Sequence, residues 1–108
     1  MKVKALVLGA ALSVVAMPSF ADLELAKASG CLACHSVDKK VVGPAWMDVS
    51  KKYKGDAAGK AAVVAQIKVG GKGKWTEVTG GVPMPPYSPR VSDANIDKLA
   101  DFILGLAK

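Results

Sequence analysis

The chain's two cysteines and its single histidine lie together in one short stretch, Cys31-Leu32-Ala33-Cys34-His35. Cys-x-x-Cys-His is the pattern by which a c-type haem is attached to a polypeptide. Each thiol can add to one vinyl group of the porphyrin, and an imidazole nitrogen of His35 can then coordinate the iron. The motif therefore predicts one covalent haem c bound to Cys31 and Cys34, with His35 as an axial ligand.

Other chemistries use the same pair of cysteines, and the rest of the chain bears on them. A structural zinc site takes four Cys or His ligands, more than this chain contains. A redox-active dithiol is expected near a βαβ pattern, and the sequence offers no convincing pair of strands. A haem-free dithiol oxidoreductase nevertheless stays open as an alternative at this point.

The N-terminus has the form of an export signal. A basic start, Met1 to Lys4, precedes the apolar stretch Ala5 to Met17, and Ser19-Phe20-Ala21 fits a small-x-small cleavage site. The apolar stretch is shorter than the roughly 20 residues that a spanning helix needs. We therefore predict a cleaved signal peptide at residues 1–21, a single domain at residues 22–108, a periplasmic location and no stable membrane insertion after cleavage.

Basic residues outnumber acidic ones, 15 to 9, and the formal net charge of the whole chain is +6. A solvated surface accounts for most scattered lysines, but a basic surface can also steer an acidic redox partner. Few aromatic residues accompany these lysines, which argues against nucleic-acid binding. The scattered lysines are Lys39, Lys40, Lys51, Lys52, Lys54, Lys60, Lys68, Lys72 and Lys74.

Apolar periodicity and end signals predict an all-α domain of about four helices. The first predicted helix is capped by Asp22 and ends at Gly30. The second covers Ala45 to Tyr53 and the third covers Ala58 to Val69. The last helix begins after its cap, Ser92. We expect Leu25, Ala28 and Ser29 to share a face of the first helix and Trp46 to be a core residue. The predicted apolar face of the last helix comprises Ile96, Leu99, Ala100, Ile103 and Leu104, with Phe102 at its border.

Two proline-containing stretches complete the candidate site. Pro44 begins a helix and leaves its carbonyl available, and a metal-ligating histidine usually donates its second ring N–H to such an acceptor. Met84 lies within Pro83-Met84-Pro85-Pro86, where proline confines it to an extended conformation in a stiff loop. Methionine often fills gaps in a core, but beside a haem motif its thioether is a candidate second axial ligand.

These features together resemble the class I cytochromes c, in particular the short soluble periplasmic type of bacteria. The resemblance covers residues 22–108 in order. The stretches that carry it are Cys31 to His35, Val42-Gly43-Pro44-Ala45-Trp46, Trp75, Pro83-Met84-Pro85-Pro86 and the closing helix Leu99 to Leu106.

The resemblance implies a fold in which the first and last helices cross and the helices surround one haem. It implies thioether bonds at Cys31 and Cys34, axial ligation by His35 and Met84, and Pro44 as the carbonyl partner of His35. The segment Thr76 to Pro83 is longer than in the commonest short members, which leaves Trp75 as either a haem-propionate partner or a core residue.

The implied function is single-electron transport in a respiratory chain, without enzymatic activity. Expected partners are redox proteins with acidic docking surfaces: a quinol-oxidising complex or other donor upstream, and a nitrite reductase or terminal oxidase downstream. A haem protein with an open sixth position, acting as a peroxidase or gas sensor, is the main alternative. The rigid Met84 loop and the absence of a second histidine in the chain argue against it.

Overall fold

The computed structural model describes residues 20–107, which form a helical domain. Its α-helices are α1 (Phe20–Ala28), α2 (Trp46–Lys52), α3 (Gly59–Val69), α4 (Thr76–Thr79) and α5 (Asp93–Gly105), and a 3-10 turn covers Cys31–Ala33. Within the described range, extended pairing is limited to two isolated bridges, His35 with Lys40 and Gly71 with Met84. The all-α prediction is confirmed, and α4 is an addition to the four helices expected.

Helix α5 is the centre of the packing, since it contacts α1, α2 and α3. Ser92 caps it as predicted, its hydroxyl accepting a hydrogen bond from the Asn95 N–H at 3.2 Å. The predicted apolar face is buried at Ile96, Leu99, Ala100 and Ile103. Two details differ: Phe102 is a buried core residue, and Leu104 is only half-buried. Burial of each large side chain stabilises the fold by roughly 1.5–3 kcal/mol.

Helix α1 packs against α5, as expected for first and last helices that cross. The predicted cap was wrong, because α1 already includes Phe20 and Asp22 lies in its first turn. The predicted face was right for Leu25, which packs against the core, and wrong for Ala28. Ala26 is completely buried against the core, whereas Ala28 is exposed. A short segment with so few large apolar residues gives a weak periodic signal, and contact with α5 decides which side faces inward.

The predicted signal peptide lies largely outside the described residues, which begin at residue 20. Among the helices of the described part, none has the length and apolar character needed to cross a bilayer.

Surface ion pairs connect α3 with α5. Lys60 Nζ lies 3.1 Å from carboxylate oxygens of both Asp97 and Asp101, and Lys68 Nζ lies 3.5 Å from Asp93. Hydrogen bonds to the two aspartates raise the pKa of Lys60. The side chains in these pairs keep between 35% and 78% of their surface exposed, so the pairs align the helices and add little to stability.

Ser50 makes a buried polar connection between α2 and the end of α5. Its hydroxyl donates to the Leu104 carbonyl at 2.8 Å and accepts from the Ala107 N–H at 3.0 Å, and the residue is only 2% exposed. These two bonds satisfy backbone groups that the end of a helix leaves without partners. Ser50 therefore fixes the C-terminal end of the described chain against α2.

We expect Ser50→Ala to lower the free energy of unfolding by about 1–3 kcal/mol, because it leaves a buried carbonyl and a backbone N–H without their partner. Guanidinium unfolding of the haem-loaded protein, followed by far-ultraviolet circular dichroism, measures the change. The control is Ser36→Ala, which removes only an exposed 3.5 Å contact with Asp38 and should cost less than about 0.5 kcal/mol. Equal losses in both variants would contradict the role given to Ser50.

Candidate functional site

A cavity of about 260 Å³ lies between α2, α3, α5 and the two loops that carry the predicted ligands. All four predicted site residues line it: Cys31, Cys34, His35 and Met84. They come from two segments far apart in the sequence, and the fold brings them to one place. Most of the remaining lining is apolar, including Val63, Ile67, Leu99 and Ile103.

The two cysteines are presented by the 3-10 turn that follows Gly30. The N–H groups of Cys34 and His35 both donate to the Cys31 carbonyl, at 3.2 and 3.0 Å. Such a helical turn places residues three and four apart on the same side, so both thiols and the imidazole face the cavity. Both cysteines are free, Cys31 buried and Cys34 half-buried. Burial raises the pKa of the Cys31 thiol, opposed by the nearby positive charge of Arg90.

His35 has the hydrogen bond that the sequence predicts. Its Nδ1 lies 2.8 Å from the Pro44 carbonyl oxygen. Because that oxygen can only accept, Nδ1 carries the proton, and the lone pair of Nε2 is left for a metal. Burial lowers the pKa of His35, while the Pro44 carbonyl acts in the opposite direction. A neutral imidazole with a fixed tautomer is the form that coordinates iron.

Two neighbours hold the His35 ring in position. The Trp46 ring stacks on it with centroids 5.6 Å apart and planes 22° apart, and Trp46 meets Phe102 edge to face at 6.0 Å. On Gly43, an added Cβ would lie only 2.5 Å from His35 Cε1. Trp46 is thus a core residue, as predicted, and also a support for His35. Gly43 was missed, since the sequence shows only a glycine before proline and not what passes close to it.

Met84 is held by backbone pairing with the turn that follows α3. The Gly71 N–H donates to the Met84 carbonyl at 2.8 Å, and the Met84 N–H donates to the Gly71 carbonyl at 2.9 Å. This antiparallel bridge agrees with the extended conformation predicted for Met84. Gly70 has a φ of 73°, and a Cβ there would collide with the backbone of residues 84–86. Glycine is therefore required where the two segments meet.

The segment before Met84 contains the short helix α4, followed by Gly80 and Gly81. Trp75 directly precedes α4, lines the cavity and is half-buried. The ammonium group of Lys52 lies 5.6 Å from the centre of its indole ring, a cation–π distance. Trp75 is thus part of the cavity wall with a basic neighbour, and it also packs against the core.

The residues present fit a haem attached through two thioether bonds. Two free thiols lie on one turn, an imidazole nitrogen is left available by the Pro44 hydrogen bond, and a thioether side chain and an apolar lining complete the cavity. In the described part of the chain no group of three or more His, Cys, Asp or Glu side chains could hold a bare metal ion. An imidazole and a thioether are donors that suit a porphyrin iron.

Comparison with known proteins agrees with this chemistry. The family model for cytochrome c matches residues 24–107. Cytochrome c-551 of Allochromatium vinosum is 50% identical over 92 residues, which cover 85% of this chain and 93% of the relative. Cytochrome c-552 of Hydrogenobacter thermophilus is 46% identical over 88 residues, covering 82% and 84%. The crystal structure of Nitrosomonas europaea cytochrome c552 superposes with a TM-score of 0.69 at 44% identity, covering 78% of this chain and 98% of that one.

Substituting Gly43 by alanine should disturb the imidazole, because the new methyl group cannot fit beside the ring. We expect Gly43→Ala to lower the free energy of unfolding by about 1–3 kcal/mol, the usual cost of overpacking. The control is Gly105→Ala, where a Cβ meets nothing within 4 Å and a helical alanine should leave stability unchanged or raise it. Guanidinium unfolding of both haem-loaded variants measures the difference, and a Gly43→Ala protein as stable as the wild type would show that the ring is not confined.

Proposed function

Since the chain belongs to the cytochrome c family, as a small class I member that carries electrons on one covalent haem c, we propose that it works in the periplasm with His35 and Met84 as axial ligands. The observation that supports this most is that His35 and Met84 line one cavity while His35 Nδ1 is hydrogen-bonded to Pro44. The proposed carrier is not an enzyme.

Each site residue has a definite task in this proposal. Cys31 and Cys34 form the two thioether bonds, which consume both thiols and leave no dithiol for the alternative redox chemistry. His35 coordinates through Nε2, and its hydrogen bond to Pro44 makes the imidazole a stronger donor. Met84 supplies the sulfur ligand. The bound haem supplies an iron that changes by one electron between ferrous and ferric, at a potential that His/Met ligation raises.

The absence of enzymatic activity follows from the same two ligands. With the His35 imidazole and the Met84 thioether both holding the iron, the chain itself would supply both protein ligands and leave no open position for a substrate or gas. The Gly71–Met84 bridge supports this arrangement by holding the methionine segment against α3. The apolar lining keeps water away from the group whose charge changes.

Docking of redox partners is proposed at the mouth of the cavity. Lys72 and Lys74 belong to the cavity wall and are exposed, and Lys52 lies over the ring of Trp75, which also belongs to the wall. Val42 and Val82 also belong to this wall, with 39% and 51% of their surface exposed. Positive charges around an apolar contact suit brief encounters with acidic partners. We propose a quinol-oxidising complex or another donor upstream, and a nitrite reductase or terminal oxidase downstream.

Met84→Ala should open one axial position. We expect the absorption band of the thioether-to-ferric-iron bond to disappear, the reduction potential to fall, and the reduced protein to bind carbon monoxide readily at neutral pH. The matched control is Met47→Leu, because Met47 lies in α2 and is not part of the cavity wall. A Met84→Ala protein that keeps the band would refute the ligand assignment and revive the open-site alternative.

Export and cleavage can be tested by mass. When the full chain is expressed in a bacterium that matures c-type cytochromes, the periplasmic fraction should contain a protein with the mass of residues 22–108 plus one haem. Ala21→Arg, which destroys the small residue at the proposed cut, should retain the signal peptide. Cleavage elsewhere, or haem protein found only in the cytoplasm, would contradict the proposed boundary or location.

A further inference from the structure

The segment that carries Met84 is attached to the C-terminal end of α3 by a row of hydrogen bonds. Besides the two bonds between Gly71 and Met84, the Tyr87 N–H donates to the Ile67 carbonyl at 3.0 Å, and the Ser88 N–H donates to the Lys68 carbonyl at 3.3 Å. The last carbonyls of a helix have no partner within it. Here the methionine segment supplies their partners, so the position of Met84 depends on the end of α3.

One side chain of α3 takes part in the same network. Gln66 Nε2 donates to the Gly71 carbonyl oxygen at 2.9 Å. That oxygen also accepts the Met84 N–H at 2.9 Å. A single carbonyl thus connects the Gln66 amide with the backbone of Met84, and Gln66 itself lines the cavity.

The loop is also shaped around the Gln66 amide. A Cβ on Gly73 would lie 2.8 Å from Gln66 Oε1, so the turn passes directly over the side chain. The backbone of Gln66 is fixed as well, since its carbonyl accepts from the Gly70 N–H at 2.8 Å. Its neighbours Val63 and Ile67 are buried in the core. Gln66 therefore connects a rigid helix face with a glycine-rich turn that has little rigidity of its own.

From this geometry we propose that Gln66 is a positioning residue for Met84: by holding the Gly71 carbonyl, it slows the release of the thioether from the iron. The inference rests on the proposed ligation by Met84. Without the Gln66 amide, the Gly71–Met84 bridge still has its own two hydrogen bonds, so the fold persists. The turn is then held by one hydrogen bond fewer, and the sulfur leaves the iron more often.

The test measures how fast imidazole replaces the thioether in the ferric, haem-loaded protein. At high imidazole concentration the rate is limited by Met84 release and is followed by loss of the thioether-to-iron band. Gln66→Met keeps the length of the side chain and removes the amide. We expect replacement about 2- to 10-fold faster than in the wild type, the effect of losing one hydrogen bond. Gln66→Glu, whose carboxylate cannot donate at neutral pH, should change the rate in the same direction.

Ser50→Ala is the control, because it weakens the contact between α2 and α5 and its side chain is not part of the cavity wall. If a general loss of stability caused the faster replacement, the rate would rise in Ser50→Ala as well. If Gln66 positions Met84, the rate in Ser50→Ala stays at the wild-type value. Unchanged rates in both Gln66 variants, with a wild-type band that Met84→Ala removes, would overturn the inference and leave the ligand assignment intact. A band that survives Met84→Ala would instead overturn the ligand assignment, and this inference with it.

Discussion

The hydrogen bond between His35 Nδ1 and the Pro44 carbonyl joins the haem-attachment turn to the start of α2. It determines which ring nitrogen carries the proton, and so which one keeps a free lone pair. Gly43 leaves room for the imidazole beside the backbone, and Trp46 stacks against the ring. The chemistry of the site thus depends on a few residues at one helix start.

The rest of the fold provides a frame around that interaction. Helix α5 packs on α1, α2 and α3, and its buried side chains reach the cavity wall at Leu99 and Ile103. An 11.1 kDa chain has a small apolar core. A haem in the cavity adds a large apolar surface for those side chains to contact. The cofactor of this family is therefore part of the core as well as the redox centre.

Much of this arrangement is predictable because it is encoded in short, local patterns. The Cys31 to His35 motif, the Pro44 carbonyl and the cap at Ser92 each depend on neighbouring residues, and the hydrogen bonds predicted at Pro44 and Ser92 are present. Helices with strong apolar periodicity, above all α5, were also identified. The axial role of Met84 stays a prediction, although the fold places its residue at the same cavity as His35.

What the sequence did not reveal depends on contacts between distant segments. Packing against α5 determines which side of α1 faces inward. No local pattern in the sequence indicates that Ala26, rather than Ala28, is buried. Ser50 gains its importance from the end of α5, and Gln66 gains its importance from a turn and a loop that meet only in the fold. Helix α4 is four residues long and has no buried residue, so it leaves no periodic signal. Such features are visible only once the chain is folded.

The two supports of the proposed ligands are formed by different segments of the chain: the His35 side rests on the start of α2, and the Met84 side rests on the end of α3. Each half can accordingly be altered by mutation while the other keeps its geometry. Under the proposed ligation by Met84, exchanging the glycine-rich and proline-rich loops would set a new electrochemical midpoint without rebuilding the turn at Cys31. Divergence among chains of this architecture would then concentrate in the segment that carries Met84.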